Sequence, residues 1–144
     1  NKLLDYRSYT TDTHEWYSLQ FSPLESGDDL YGSGDALYYW IWPNTMLNIV
    51  PGRLQTNRVI AKGVDKCRVE FDFYYAMDES EEAAARRLAD LNFSDEVQFE
   101  DLTICEDVQR GMASGSYQPG RLNPLRENAV HHFHELLRRV YREA

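Results

Sequence analysis

Only two cysteines occur in the 144 residues, Cys67 and Cys105, and they stand far apart. They form neither a CxxC pair nor a disulfide framework, so a reducing, cytoplasmic setting is the expectation. Basic charge is scarce as well: 15 Lys and Arg against 24 Asp and Glu leave a formal charge of −9. Nucleic-acid binders carry a basic surface and anionic membranes attract one, so this balance argues against both partners. No apolar run approaches the roughly 18 residues that span a bilayer, and no signal-peptide pattern opens the chain. Internal repeats, low-complexity tracts and linkers are missing too. Asn1 stands where Met would begin a complete chain, which suggests a piece of a longer polypeptide.

What is present is one domain's worth of chain with 42% hydrophobic residues, enough for a core. The first half reads as strands and the second as helices, with a change of period near Met77. Strands are expected over 15–21, 36–42, 45–50, 53–61 and 67–76, with loop chemistry over 24–35, a bend at Pro43-Asn44 and a turn at Pro51-Gly52. The clearest strand is the last, where Cys67, Val69, Phe71, Phe73 and Tyr75 alternate with Arg68, Glu70, Asp72 and Tyr74. That period of two marks a sheet with one wet face. A helix begins after Asp78, with acidic residues in its first turn and Ala84, Leu88 and Leu91 as its apolar stripe. Further helices are expected over 93–113 and about 126–142, the last with Val130, Phe133, Leu137 and Val140 on one side. Strands followed by helices predict an α+β domain, an antiparallel sheet covered by helices on one face.

Asp101 breaks the pattern. Stepped at 100° per residue, Val97, Ile104, Cys105, Val108 and Met112 share one stripe of the 93–113 helix, and Asp101 falls at its centre. Glu96, Thr103, Glu106, Asp107 and Arg110 take the other side, where Glu106 and Asp107 read as solvated. An ionised carboxylate facing a core needs a cation. Two readings are open: an aspartate satisfied by an arginine or backbone amides, or a metal ligand. A carboxylate with two histidines suits non-haem Fe(II), but this chain offers only the carboxylate.

Other candidates have plainer readings. His131 and His134 lie three apart on the last helix, unlike the four-residue spacing of HEXXH zinc sites, and His131, His132 and His134 read as a polar shoulder. His14 is isolated. Tyr38, Tyr39, Trp40 and Trp42 alternate across a strand, so about half fill the core; the rest could wall a pocket for a quaternary ammonium group.

The stretch from Gln98 to Met112 (Gln-Phe-Glu-Asp-Leu-Thr-Ile-Cys-Glu-Asp-Val-Gln-Arg-Gly-Met), then Tyr117-Gln-Pro-Gly-Arg-Leu122 and His131-His-Phe-His134, resembles the C-terminal catalytic domain of Rieske-type non-haem iron oxygenases. The likeness is to the large-subunit group that includes choline monooxygenases, glycine-betaine demethylases and carnitine oxygenases. Trp42-Pro-Asn-Thr-Met-Leu-Asn48 and Thr56-Asn-Arg-Val-Ile60 match the same group. The resemblance runs from about residue 36 to residue 141.

It implies a helix-grip (START/Bet v1-like) fold over 1–144, a curved antiparallel sheet packed against a long helix and a C-terminal helix. It makes Asp101 the carboxylate ligand of a mononuclear Fe(II), with Trp42, Met46 and Asn57 as substrate-pocket candidates. The family's two histidine ligands and its Rieske [2Fe–2S] cluster sit upstream in patterns that this sequence does not contain. The implied activity is O2-dependent hydroxylation or N-demethylation of a small organic substrate, a quaternary amine or an aromatic compound. Electrons would come from NAD(P)H through a separate reductase or ferredoxin, and the complete subunit is expected to be a homotrimer. A non-enzymatic helix-grip module that binds a small apolar ligand is the alternative.

Overall fold

The computed structural model describes residues 8–24 and 31–144, in two compact units: one spans Asn1–Tyr75 with Arg121–Ala144, the other Ala76–Gly120. The first holds strands β1 (Thr10–Thr13), β2 (Tyr17–Leu24), β3 (Gly34–Ile41), β4 (Thr45–Val50), β5 (Arg53–Ala61) and β6 (Cys67–Tyr75), with helix α2 (Asn128–Glu143). The second holds helix α1 (Glu81–Ala113). The strands form one antiparallel meander in chain order. The α+β architecture expected from the sequence is therefore present, with a six-stranded antiparallel sheet and two helices.

Turn chemistry sets the register. Val50 pairs with Arg53 across Pro51-Gly52, and Gly52 has φ of 79°. Proline pre-sets the first corner and glycine alone takes the second without strain, as a type II turn requires. The strands expected over 45–50 and 53–61 appear with those bounds, whereas β2 runs three residues past the expected end at Phe21. β1, with sequence Thr-Thr-Asp-Thr, was not expected; four polar residues show no alternation to detect. The loop expected over 24–35 lies partly outside the described residues.

Every buried residue of the sheet lies on one face: Ser18, Ser22, Leu24, Ala36, Val50, Gln55 and Asn57. Cross-strand partners share a face, so this inner face reads in rows. One row is Ser18–Trp40–Met46–Asn57–Phe71, and the next is Gln20–Tyr38–Asn48–Gln55–Phe73. The apolar centre is small, Leu24, Ala36 and Val50 with Tyr31 and Tyr38 against them. α2 is fastened by Phe133, whose ring meets Trp40 edge-on at 5.0 Å and Trp42 at 6.1 Å. Asn128 donates to the Thr11 carbonyl at 3.0 Å, satisfying an acceptor on edge strand β1. Leu136 is its buried residue, while Val130 and Val140, expected on the inner stripe, are exposed.

α1 is one helix of 33 residues, not the two expected from the sequence. No proline falls within it and Gly111 is its one glycine, so nothing at Phe93-Ser94-Asp95 stops propagation. Ser80 caps it by accepting from the Ala83 N–H at 3.2 Å. It ends where Gly115 takes φ of 74°.

Candidate functional site

Asp101 is exposed, which corrects the expectation that it faces a core. Its companions are exposed with it: Ile104 55%, Val108 55% and Met112 52%. The stripe Ala84, Leu88, Leu91 is also corrected, because Leu88 is 60% exposed and the buried residues of α1 are Ala83, Asp90 and Ser94. The acid of this helix that is buried is Asp90, at 3% exposure. Its position on the stripe that carries Asp101 was the available signal, hidden by reading the helix as two pieces.

Asp101 follows Ala83 by about five whole turns, and Asp90 by about three. Ala83, Asp90, Ser94 and half-buried Val97 therefore form one line, and Asp101 continues it just past the point where burial ends at Gln98. The paired guanidinium groups of α1 are engaged elsewhere, Arg86 with Glu82 and Arg110 with Glu106 and Asp107. Asp101 projects from the helix as a carboxylate of the right donor chemistry for a hard metal ion. Among the described residues, however, no group of three His, Cys, Asp or Glu could hold a metal.

The C-terminal histidines fall in no such group among the described residues. His131 is exposed and its Nε2 lies 3.8 Å from Glu135, and the Phe133 ring lies 6.0 Å from that of His134. His132 faces a groove of about 510 Å³ shared with Glu15, Glu135, Arg139 and Glu143. There Arg139 lies over the Trp16 ring at 4.4 Å, and His14 stacks on Tyr17 at 4.3 Å.

The three pocket candidates lie together in the first unit. Met46 and Asn57 are direct cross-strand partners on the inner face, in the row that contains Trp40. Trp42 sits just past β3, 6.0 Å from Trp40 and against Phe133, so it also packs the helix onto the sheet. Sequence reasoning missed Gln55, which is 3% exposed and donates from Nε2 to Asn57 Oδ1 at 2.8 Å. It stands two residues before Asn57, which places both side chains on one face.

The outer face carries ordinary surface electrostatics. Arg58 bonds Glu70 at 2.7 Å, and Arg68 also reaches that carboxylate. The hydrogen bond from Arg58 holds the Glu70 carboxyl below its usual range.

The family model described as the ring hydroxylating alpha subunit catalytic domain matches residues 4–143. Choline monooxygenase of Arabidopsis thaliana is 41% identical over 142 residues, covering 93% of this chain and 32% of the relative. The Beta vulgaris choline monooxygenase is 32% identical over 137 residues, 91% of this chain and 30% of that protein. The carnitine monooxygenase oxygenase subunit of Escherichia coli K12 is 28% identical over 149 residues, 94% of this chain and 39% of its own. The chain thus spans about a third of the length of these relatives. A solved quaternary ammonium Rieske monooxygenase, described with carnitine oxidation by gut microbiota and inter-subunit electron transfer, shares the fold with a TM-score of 0.80 at 21% identity, over 94% of this chain and 40% of its own. With a family model matched over nearly the whole chain and a relative 41% identical to it, this chain belongs to the catalytic-domain family of ring-hydroxylating oxygenase alpha subunits.

Proposed function

We propose that this chain is part of the catalytic domain of a Rieske-type oxygenase that hydroxylates or N-demethylates a small quaternary amine, with Asp101 as one of three ligands to a mononuclear non-haem iron. The 41% identity to a choline monooxygenase over 93% of the chain carries this reading. The position of Asp101, in line with the buried face of α1, supports its role. When bound, the iron supplies O2 activation. Asp101 offers a carboxylate that binds and partly neutralises the metal.

The two histidine ligands, and the Rieske [2Fe–2S] centre that passes electrons to the iron, belong on this reading to parts of the complete polypeptide outside these 144 residues. A reductase or ferredoxin fed by NAD(P)H would supply the electrons, and the complete subunit would assemble as a trimer. The inner face of the sheet, with Met46, Asn57 and Trp42, is the proposed substrate wall, where aromatic rings attract an ammonium by cation–π interaction.

The test uses the complete polypeptide and its Asp101→Ala and Asp101→Glu variants. Asp101→Ala should purify without mononuclear iron and lose more than about a hundredfold of choline-dependent O2 uptake. Asp101→Glu, which keeps the donor, should retain part of the metal. Full iron and full turnover in Asp101→Ala would overturn the assignment.

A further inference from the structure

Resting on the quaternary-amine reading above, we propose that Gln55 and Asn57 form a hydroxyl-reading pair that selects a quaternary ammonium alcohol as substrate. Gln55 is 3% exposed and Asn57 8%. Burying an amide is costly unless its hydrogen-bonding groups are used. The one bond between them uses an amide hydrogen of Gln55 and the carbonyl of Asn57. The pair thus keeps donors, the two Asn57 Nδ2 hydrogens and the second Gln55 Nε2 hydrogen, beside an acceptor, Gln55 Oε1. A hydroxyl both donates and accepts, so it can satisfy a donor and the acceptor at once. A methyl group satisfies neither, and a carboxylate, which only accepts, leaves the Gln55 carbonyl without a donor.

The neighbours on this face suit the other end of such a substrate. Phe71 is the cross-strand partner of Asn57, and Phe73 that of Gln55. Direct partners on one face stand about 5 Å apart. An ammonium joined by a two-carbon arm to a hydroxyl on the amides therefore falls within the roughly 6 Å reach of a phenyl face. Arg53, the next inner residue of β5, is held near the Tyr31 and Phe73 rings, at 5.2 and 5.9 Å from their centroids. Nothing else on β5 between Arg53 and Asn57 faces inward.

The experiment measures binding and O2 uptake by the complete polypeptide with choline, with propyltrimethylammonium, in which a methyl replaces the hydroxyl, and with glycine betaine. The unaltered enzyme should favour choline over propyltrimethylammonium by about tenfold or more, and should bind glycine betaine more weakly than choline. Gln55→Met and Asn57→Leu should each bring the choline to propyltrimethylammonium ratio to within about twofold. A purely structural role would lower the active fraction but leave that ratio unchanged, so partial misfolding cannot imitate the result. A ratio near one in the unaltered enzyme, an undiminished ratio in both variants, or betaine bound as tightly as choline would overturn the hydroxyl assignment alone. Failure of the enzyme to bind any of the three ammonium compounds would instead overturn the quaternary-amine reading, and this assignment with it.

Discussion

On the inner face of the sheet, polar Ser18, Ser22, Gln55 and Asn57 are buried, whereas on the distal half of α1 the large apolar residues Phe99, Leu102, Ile104, Val108 and Met112 are between 52% and 71% exposed. A domain that folds only to satisfy its own side chains does the reverse. Polar groups inside must find partners, and Gln55 and Asn57 supply one to each other. Apolar groups on all sides of a helix are the mark of an element that is covered by more protein. On the proposed reading the two departures have one origin. The sheet supplies a substrate wall, and α1 carries an iron ligand on a helix whose remaining surroundings come from other parts of the polypeptide.

The strongest way to break this comparison sets the two acids of α1 against each other. Asp101→Ala should cost the complete enzyme more than about a hundredfold in turnover, yet change the stability of the present 144 residues by less than about 0.5 kcal/mol, because the side chain is exposed. Asp90→Ala should destabilise the same chain by about 3 kcal/mol in urea unfolding, because that carboxylate is buried. Equal effects of the two on stability would erase the distinction between the halves of the helix.

A second test sharpens the apolar side. Leu102→Glu and Val108→Glu should leave the melting temperature of the isolated chain within a few degrees, since both positions are exposed here. In the complete polypeptide each should cost about 2 kcal/mol or more, or prevent soluble expression, if other protein covers that surface. If Asp101 is one iron ligand of three, as proposed, the isolated chain should bind Fe(II) weakly and hydroxylate nothing; stoichiometric iron in purified material would contradict the shared-site reading.

Smaller effects belong to the ends and the outer surface. Ser80→Ala removes the acceptor for the Ala83 N–H and should cost about 1 kcal/mol. Acid should act through Glu70 and Asp78. Arg58 holds the first carboxyl low, and the Ser80 backbone N–H the second. A carboxyl whose pKa is depressed by folding contributes stability above its unfolded value, here 4.5 and 3.8, and loses that contribution as pH falls through the lowered one. Stability should therefore be level near neutrality and decline below about pH 4.5, by a small amount because both groups are exposed.

Much of the sheet was legible because alternation and turn residues carry their own signal. β4, β5 and the turn between them follow from Pro51-Gly52 and the flanking apolar residues, and β6 from its period of two. β1 was invisible because edge pairing and the Asn128 contact, not its polar sequence, hold it in place. For α1, periodicity identified the face on which Asp101 lies but could not say where cover along that face ends. The same limit exchanged the buried acid: Asp90 and Asp101 share a helical line, and only tertiary structure tells which of them is enclosed. Gln55 was passed over because an amide in a strand gives no sequence signal until its neighbour and its burial are known.

The sheet's strand order repeats its chain order, and this bears on how the fold assembles. Each of the five ladders joins strands adjacent in sequence, so every pairing closes only a short loop and little chain entropy is lost at each step. The contacts of α2 are different in kind: its bond from Asn128 to Thr11 joins positions 117 residues apart. Docking of α2 is therefore the late, long-range event that locks the first strand, and shortening the C terminus before that helix should loosen the opposite end of the chain first.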